Sequence, residues 1–281
     1  MYTQKNKANI YFLNEGVEAT FTQADLKKDA QYIFNFRSSK REQAICNAMK
    51  SFPRLDAMFD VMTGAKPYQV GKGKPSQTKA DVDSKIYTGF EKKDELWVPY
   101  MRGKHIERST NKWKGNKEYI KYGEWLAEPR SAEVFKGEKI FVRQTGDSLI
   151  ATLDVGNVSN NTLHSVYPLS NNKDMSSLYL LGIINSTLMN WYYQRENYLE
   201  IGKPMAEVKG IYIKKLPIAK GEDEQRVTVE QHVKNLLHLC QLRYNEKNSF
   251  IHYIIETYEP KIFQKSYGIS NCCRLKIFLE N

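Results

Sequence analysis

Residues 139–218 read KIFVRQTGDSLIATLDVGNVSNNTLHSVYPLSNNKDMSSLYLLGIINSTLMNWYYQRENYLEIGKPMAEVKGIYIKKLPI, and the order of elements inside this stretch decides the fold. Ile140, Phe141 and Val142 form a β-prone run that stops at the polar cluster Arg143-Gln144-Thr145-Gly146-Asp147. Leu149 to Leu153 gives a second strand beyond that turn. Thr162 to Tyr167 gives a third, entered from the turn-rich run Asn157 to Asn161. The spacing then predicts a helix that starts between Asp174 and Ser177 and sets Leu181, Ile184, Leu188, Trp191 and Tyr192 on one stripe. Gly210 to Ile213 reads as a last strand ahead of Lys214-Lys215-Leu216-Pro217. The expected class is α+β: a mixed, mainly antiparallel sheet with helices, and polar, basic loops between its strands.

On either side the pattern changes. Ile10 to Leu13 and Tyr32 to Phe36 read as strands, and residues 40–62 as a helix interrupted at Pro53. Residues 76–95 are charged and without period. Trp97 to Met101 is a short strand, and Tyr119 to Ala127 is apolar enough to be largely buried. Beyond Gly221 the positions Val229, Val233, Leu236, Leu237, Cys240 and Tyr244 keep helical spacing. Phe250, Ile251, Ile254, Ile255 and Tyr258 repeat it, so two helices in a hairpin are expected there.

The bulk properties bound the function. A chain of 281 residues with 41% hydrophobic residues can build a real core, and a formal charge of +10 points to a polyanionic partner. No apolar run reaches the ~20 residues of a membrane span, and the first residues lack the apolar core of a signal peptide; the expectation is a soluble, cytoplasmic protein without a membrane partner. Cys46, Cys240, Cys272 and Cys273 have neither zinc nor disulfide-framework spacing and read as reduced thiols.

The ordered set KIFVRQTGD, LHSVYPL, YLLGIINSTLMNWYY and EVKGIYIKKLPI, with WVPYMRGKHIERSTNKW and YIKYGEWLAEPRSAEVF upstream, resembles the TaqI-like C-terminal specificity domain. That family is the target-recognition part of adenine-specific DNA methyltransferases and of fused type IIG restriction-modification enzymes. The resemblance runs from about residue 60 to about residue 220. It implies a linker leading from a catalytic domain over residues 1–55, a target-recognition domain over 56–220 and a helical segment over 221–281. It also implies double-stranded DNA and a methyltransferase domain or subunit as partners. The catalytic signature of such enzymes, Asn/Asp-Pro-Pro-Tyr/Phe, does not occur in the chain, so S-adenosylmethionine and the N6-adenine methyl transfer are assigned to that other domain, and no cofactor to these residues.

The candidate DNA contacts are the basic and amide-bearing loops. Lys72 and Lys74 stand in the glycine-rich stretch Gly64 to Pro75, whose spacing is wrong for a nucleotide-binding P-loop but suits backbone approach to phosphates or a plain surface turn. Arg102, Lys104 and Arg108 alternate with His105 and lie near Trp113. Arg143, Gln144 and Thr145 follow the first strand. Asn160 and Asn161 precede the third, and Lys203 and Lys209 lie in a basic loop before the last. Arg130 reads as a structural anchor, while Arg143 fits anchoring and base reading equally. Two other classes compete. One is a protein-interaction module working through the terminal helices. The other is a divergent magnesium nuclease, echoed by Glu91-Lys92-Lys93 and Glu138-Lys139.

Overall fold

The computed structural model describes residues 39–170, 172, 175–197 and 201–258, and the backbone of three strands within 2–22. Tyr2–Gln4 (β1), Lys7–Phe12 (β2) and Gly16–Thr22 (β3) form an antiparallel meander. The first half of the chain continues with Lys40–Lys50 (α1), Phe59–Thr63 (β4), Lys79–Ser84 (α2), Thr88–Gly89 (β5), Trp97–Met101 (β6), Ile106–Glu107 (β7), Thr110–Asn111 (β8), Trp113–Asn116 (α3) and Tyr119–Lys121 (β9). The second half adds Ala132–Lys136 (α4), Glu138–Arg143 (β10), Ala151–Val155 (β11), Val158–Ser159 (β12), Leu163–Pro168 (β13), Ser177–Asn185 (α5), Thr187–Glu196 (α6), Gly210–Lys214 (α7) and Asp223–Tyr258 (α8). The strand expected at Tyr32 to Phe36 lies outside the described residues.

The α+β class holds. A four-stranded antiparallel sheet has the order β11-β10-β13-β4, and a second sheet, β12-β6-β9-β5, carries one parallel pair between β12 and β6. Strand β10 is central and its apolar run serves both faces. Ile140 and Val142 enter the main core with Leu180, Leu181, Ile184 and Val208, while Phe141 turns to Met101, Ile106 and Leu163 on the other side. This is the period of two of a pleated strand. Each such fully buried side chain contributes ~1.5–3 kcal/mol. The cross-strand partners Lys139 and Asp154 are both fully buried, 3.1 Å apart. The Lys139 ammonium also donates to the Phe135 carbonyl at 2.8 Å, and the Asp154 carboxylate accepts from Asn111 at 3.0 Å.

Four expectations are corrected. The segment 59–63 is not helical; after Pro53 a single 3-10 turn at Leu55–Ala57 leads into a strand that pairs with β13, Val61 against Val166. The helix across the sheet is two helices. Ser186 ends α5 and its side chain caps α6 by accepting from the Met189 amide, and the break resets the phase. Leu188 therefore lies 54% exposed, and Met189, Tyr192 and Tyr193 are buried in its stead. Gly210 to Ile213 is helical: the Lys209 carbonyl accepts the Tyr212 and Ile213 N–H groups, and of the four residues only Ile213 is buried. The terminal hairpin is one continuous helix of 36 residues, about 54 Å long. No Gly or Pro interrupts Asp223 to Tyr258, so nothing breaks the backbone ladder between the two apolar stripes.

Two asparagines, Asn185 at the end of α5 and Asn190 within α6, bind the backbone of the neighbouring sheet. Asn185 clasps the open edge of β11: its amide nitrogen donates to the Ala151 carbonyl at 2.9 Å and its oxygen accepts the Ala151 N–H at 3.2 Å. Asn190 accepts the Leu149 N–H at 2.9 Å. These side chains add to the Ser109 N–H, which also donates to the Ala151 carbonyl at 2.9 Å, in satisfying the edge of the sheet.

Candidate nucleic-acid interface

Four loops meet at one end of the β10 sheet. The Gly103 N–H donates to the Thr162 hydroxyl at 2.9 Å, and the Gln144 N–H to the Thr162 carbonyl at 2.9 Å. A side chain at Gly103 would press on the Arg143 stem, 3.1 Å away. The segment 203–208 pairs with the turn after β10: Val208 donates to the Gln144 carbonyl at 2.7 Å, Gly146 donates to the Ala206 carbonyl at 2.9 Å, and Thr145 bridges Glu207. The Asp147 carboxylate accepts from Ser148 and from the Gly202 N–H; the Ser148 bond holds it below the usual carboxylate range. Arg102, Lys104, Arg143, Gln144, Thr145, Asn161, Lys203 and Lys209 are thereby carried on mutually bonded backbone. Arg108 borders the same 144–150 loop, donating to the Leu149 carbonyl at 3.0 Å.

Within this group the residues differ in what they leave free. Arg102 donates to Glu118 at 2.5 Å and lies over the Tyr100 ring, with about a third of its side chain exposed. Glu118 is buried, beside His105. His105 accepts the Arg102 N–H at Nδ1, which leaves its proton on Nε2, facing Glu118 at 3.5 Å. Burial first, then the cations Lys104, Arg102 and Lys112, push its imidazolium down to about 3, so the ring is neutral, and neither its Nε2 nor the facing Glu118 Oε2 has a hydrogen-bond partner. Arg143 donates to the Thr145 carbonyl at 3.0 Å and shapes its own loop. Asn160 is buried, its amide spent on the Tyr100 hydroxyl and the Thr162 N–H, so it organises the turn and Asn161 is the residue left at the surface. Lys104, Thr145, Lys203 and Lys209 are exposed.

Lys72 and Lys74 are carried on a separate loop. Buried Gln77 donates to the Pro67 and Trp125 carbonyls and accepts the Gln69 N–H, and Gly73 lies directly on the Trp125 carbonyl, where no Cβ fits. The lysines themselves project outward; Lys74 is 81% exposed and 3.9 Å from Glu124. Arg130 is an anchor as expected: it pairs with Glu128 at 2.5 Å and approaches the Gly64 carbonyl. Glu138-Lys139 does not form a surface pair, since Lys139 is spent on Asp154. Among the described residues no three of His, Cys, Asp or Glu stand together as a metal site requires. Sequence reading missed Glu118, Gln77 and Thr162, which carry no motif and act only through distant partners.

The α+β scaffold thus gathers cations and amides on mutually bonded loops at one end of a sheet. Residues 98–218 match the family model described as the TaqI-like C-terminal specificity domain, which bears out the resemblance read from the sequence; the match begins later than residue 60. No curated protein matches the chain. Solved structures that align with it include the S subunit of a type I restriction-modification system from M. genitalium, with 12% identity, 83% of this chain, 49% of that chain and a TM-score of 0.38. The HsdS subunit from Thermoanaerobacter tengcongensis aligns with 11% identity, 70% of this chain, 43% of that one and a TM-score of 0.38. The type IIG restriction endonuclease BpuSI aligns with 11% identity, 78% of this chain, 31% of that one and a TM-score of 0.45. The chain thus spans less than half the length of each. Among the described residues no helix is long and apolar enough to cross a membrane.

Proposed function

We propose that this chain reads DNA sequence for a restriction-modification enzyme, with methyl transfer to adenine N6 from S-adenosylmethionine carried out by a catalytic domain or subunit outside these residues. The carrying observation is the convergence of the 102–108, 143–147, 160–162 and 201–209 loops, with their cations, on one hydrogen-bonded frame. Exposed lysines there would contact phosphates and set the register of the duplex; Gln144, Thr145 and Asn161 have the donor–acceptor chemistry to read base edges in the major groove. The neutral His105 and buried Glu118 would keep Arg102 in place rather than contact DNA. The domain division at about residues 55 and 220 belongs to the same reading.

Binding of a labelled duplex as a function of salt tests it. A protein neutralising about six phosphates loses ~10³-fold in affinity between 50 and 200 mM salt; a flat response removes the proposal. A protein-contact module is the second reading, favoured by the exposed Leu236, Leu239, Leu242 and Phe250 on α8. It would show salt-independent behaviour toward DNA.

A further inference from the structure

The 201–209 segment carries an apolar tip flanked by Lys203 and Lys209, with exposed Glu207 between the tip and Lys209. Ala206 and Val208 are buried, and their backbones ladder onto Gln144 and Gly146. His164 fixes the Val208 carbonyl at 2.8 Å, and the Ala206 N–H closes a turn on the Lys203 carbonyl. Pro204 and Met205 are the central residues of that turn, and beyond it residues 207 and 209 alternate outward. Met205 is consequently 81% exposed, the highest exposure of any large apolar side chain among the described residues. It stands after Pro204, which has no N–H to solvate, between Lys203 and Lys209, and on the frame that holds Gln144 and Thr145.

A fixed loop gains nothing in stability from a solvated methionine, since the hydrophobic gain comes only on burial. Lys203 and Lys209 against the single carboxylate of Glu207 leave the segment net positive, which favours a polyanion as the surface that would cover it. On the edges of a duplex the one aliphatic group in the major groove is the C5-methyl of thymine. We propose that Met205 is a specificity-determining residue that packs on a thymine methyl beside the base edges met by Gln144 and Thr145. This rests on the DNA-reading function proposed above.

The test first selects bound sequences from a duplex pool with a randomised centre, using the full chain, and then replaces each thymine of the selected site by deoxyuridine in turn. Loss of one buried methyl is worth ~0.8 kcal/mol, so one replacement should weaken binding about 4-fold. Met205→Ala and Met205→Gln should each bind the thymine and uracil duplexes equally at that position, with the salt dependence of wild type retained. A uracil effect that persists in both variants overturns the proposal. So does a variant that weakens every sequence alike, or 2-aminopurine fluorescence showing Met205 wedged between base pairs. Absence of any salt-dependent DNA binding by wild type overturns the underlying function instead, and the two failures are distinct.

Discussion

The loop bearing Lys72 and Lys74 and the loop cluster bearing Arg102 and Arg143 are both basic, and both have fixed backbones, yet they use their cations differently. Around Gln77 and Gly73 the anchoring is done by the buried Gln77 amide and by backbone, and the two lysines reach outward from it. In the cluster the arginines themselves do part of the anchoring: Arg102 on Glu118, Arg143 on the Thr145 carbonyl. The planar fork of arginine holds a carboxylate or carbonyl in a set geometry, whereas an ammonium on a long stem suits a phosphate of uncertain position. Charge alone therefore does not rank these residues as contacts. Arg102 replacement should alter stability as well as affinity, against the simple expectation that a surface loop can be stripped of charge without cost.

The strongest attempt to break the comparison is Glu118→Ala. It strands the Arg102 guanidinium, and urea unfolding should show a loss of roughly 2–4 kcal/mol, less than for a fully buried pair because Arg102 is partly solvated. An unchanged midpoint would return Arg102 to the class of free surface cations.

Next in size is the response to acid. Unfolded, His105 takes up a proton near its ordinary 6.5; folded, only near 3. The unfolded chain holds more protons between these values, so the stability this group contributes is complete above about pH 6.5 and is lost as pH falls toward 3, at about 1.4 kcal/mol per unit. His164, lowered chiefly by burial, acts in the same direction. In His105→Gln the dependence of unfolding free energy on pH should be shallower by one proton in that window; an identical slope would show that His105 is not held neutral.

A smaller effect is expected for Arg143→Ala, about 0.5–1.5 kcal/mol for the lost carbonyl contact, read as a shift in thermal midpoint together with weaker duplex binding. The smallest belongs to Lys72→Ala with Lys74→Ala. Stability should stay within about 0.5 kcal/mol, while the salt dependence of duplex binding should lose about one ion per lysine that meets a phosphate. If that pair of substitutions instead lowered the melting point as Glu118→Ala does, the two loops would not differ as described.

The reading from sequence was most accurate where structure is local. The strands at Ile140 to Val142, Leu149 to Leu153 and Thr162 to Tyr167 appear within a few residues of their expected limits, because a β-prone run bounded by polar turns leaves few alternatives. It failed at Gly210 to Ile213, which reads as a strand but forms a short helical turn that buries Ile213 alone. It failed at Ser186 as well, since a residue that ends one helix and caps the next is indistinguishable by spacing from a residue inside one.

The amino-acid order alone thus determined the α+β class, the central strands, the basic character of the connecting loops and the family to which residues 98–218 are matched. Only the tertiary structure decided which loops share a frame and which cations are already spent. Buried Glu118 and Asn160 act on partners far along the chain, at Arg102 and Tyr100. Periodicity reports how a residue relates to its neighbours within a turn or a pleat; it carries no record of which distant donor will satisfy a buried acceptor, and that pairing is fixed only when the sheets close.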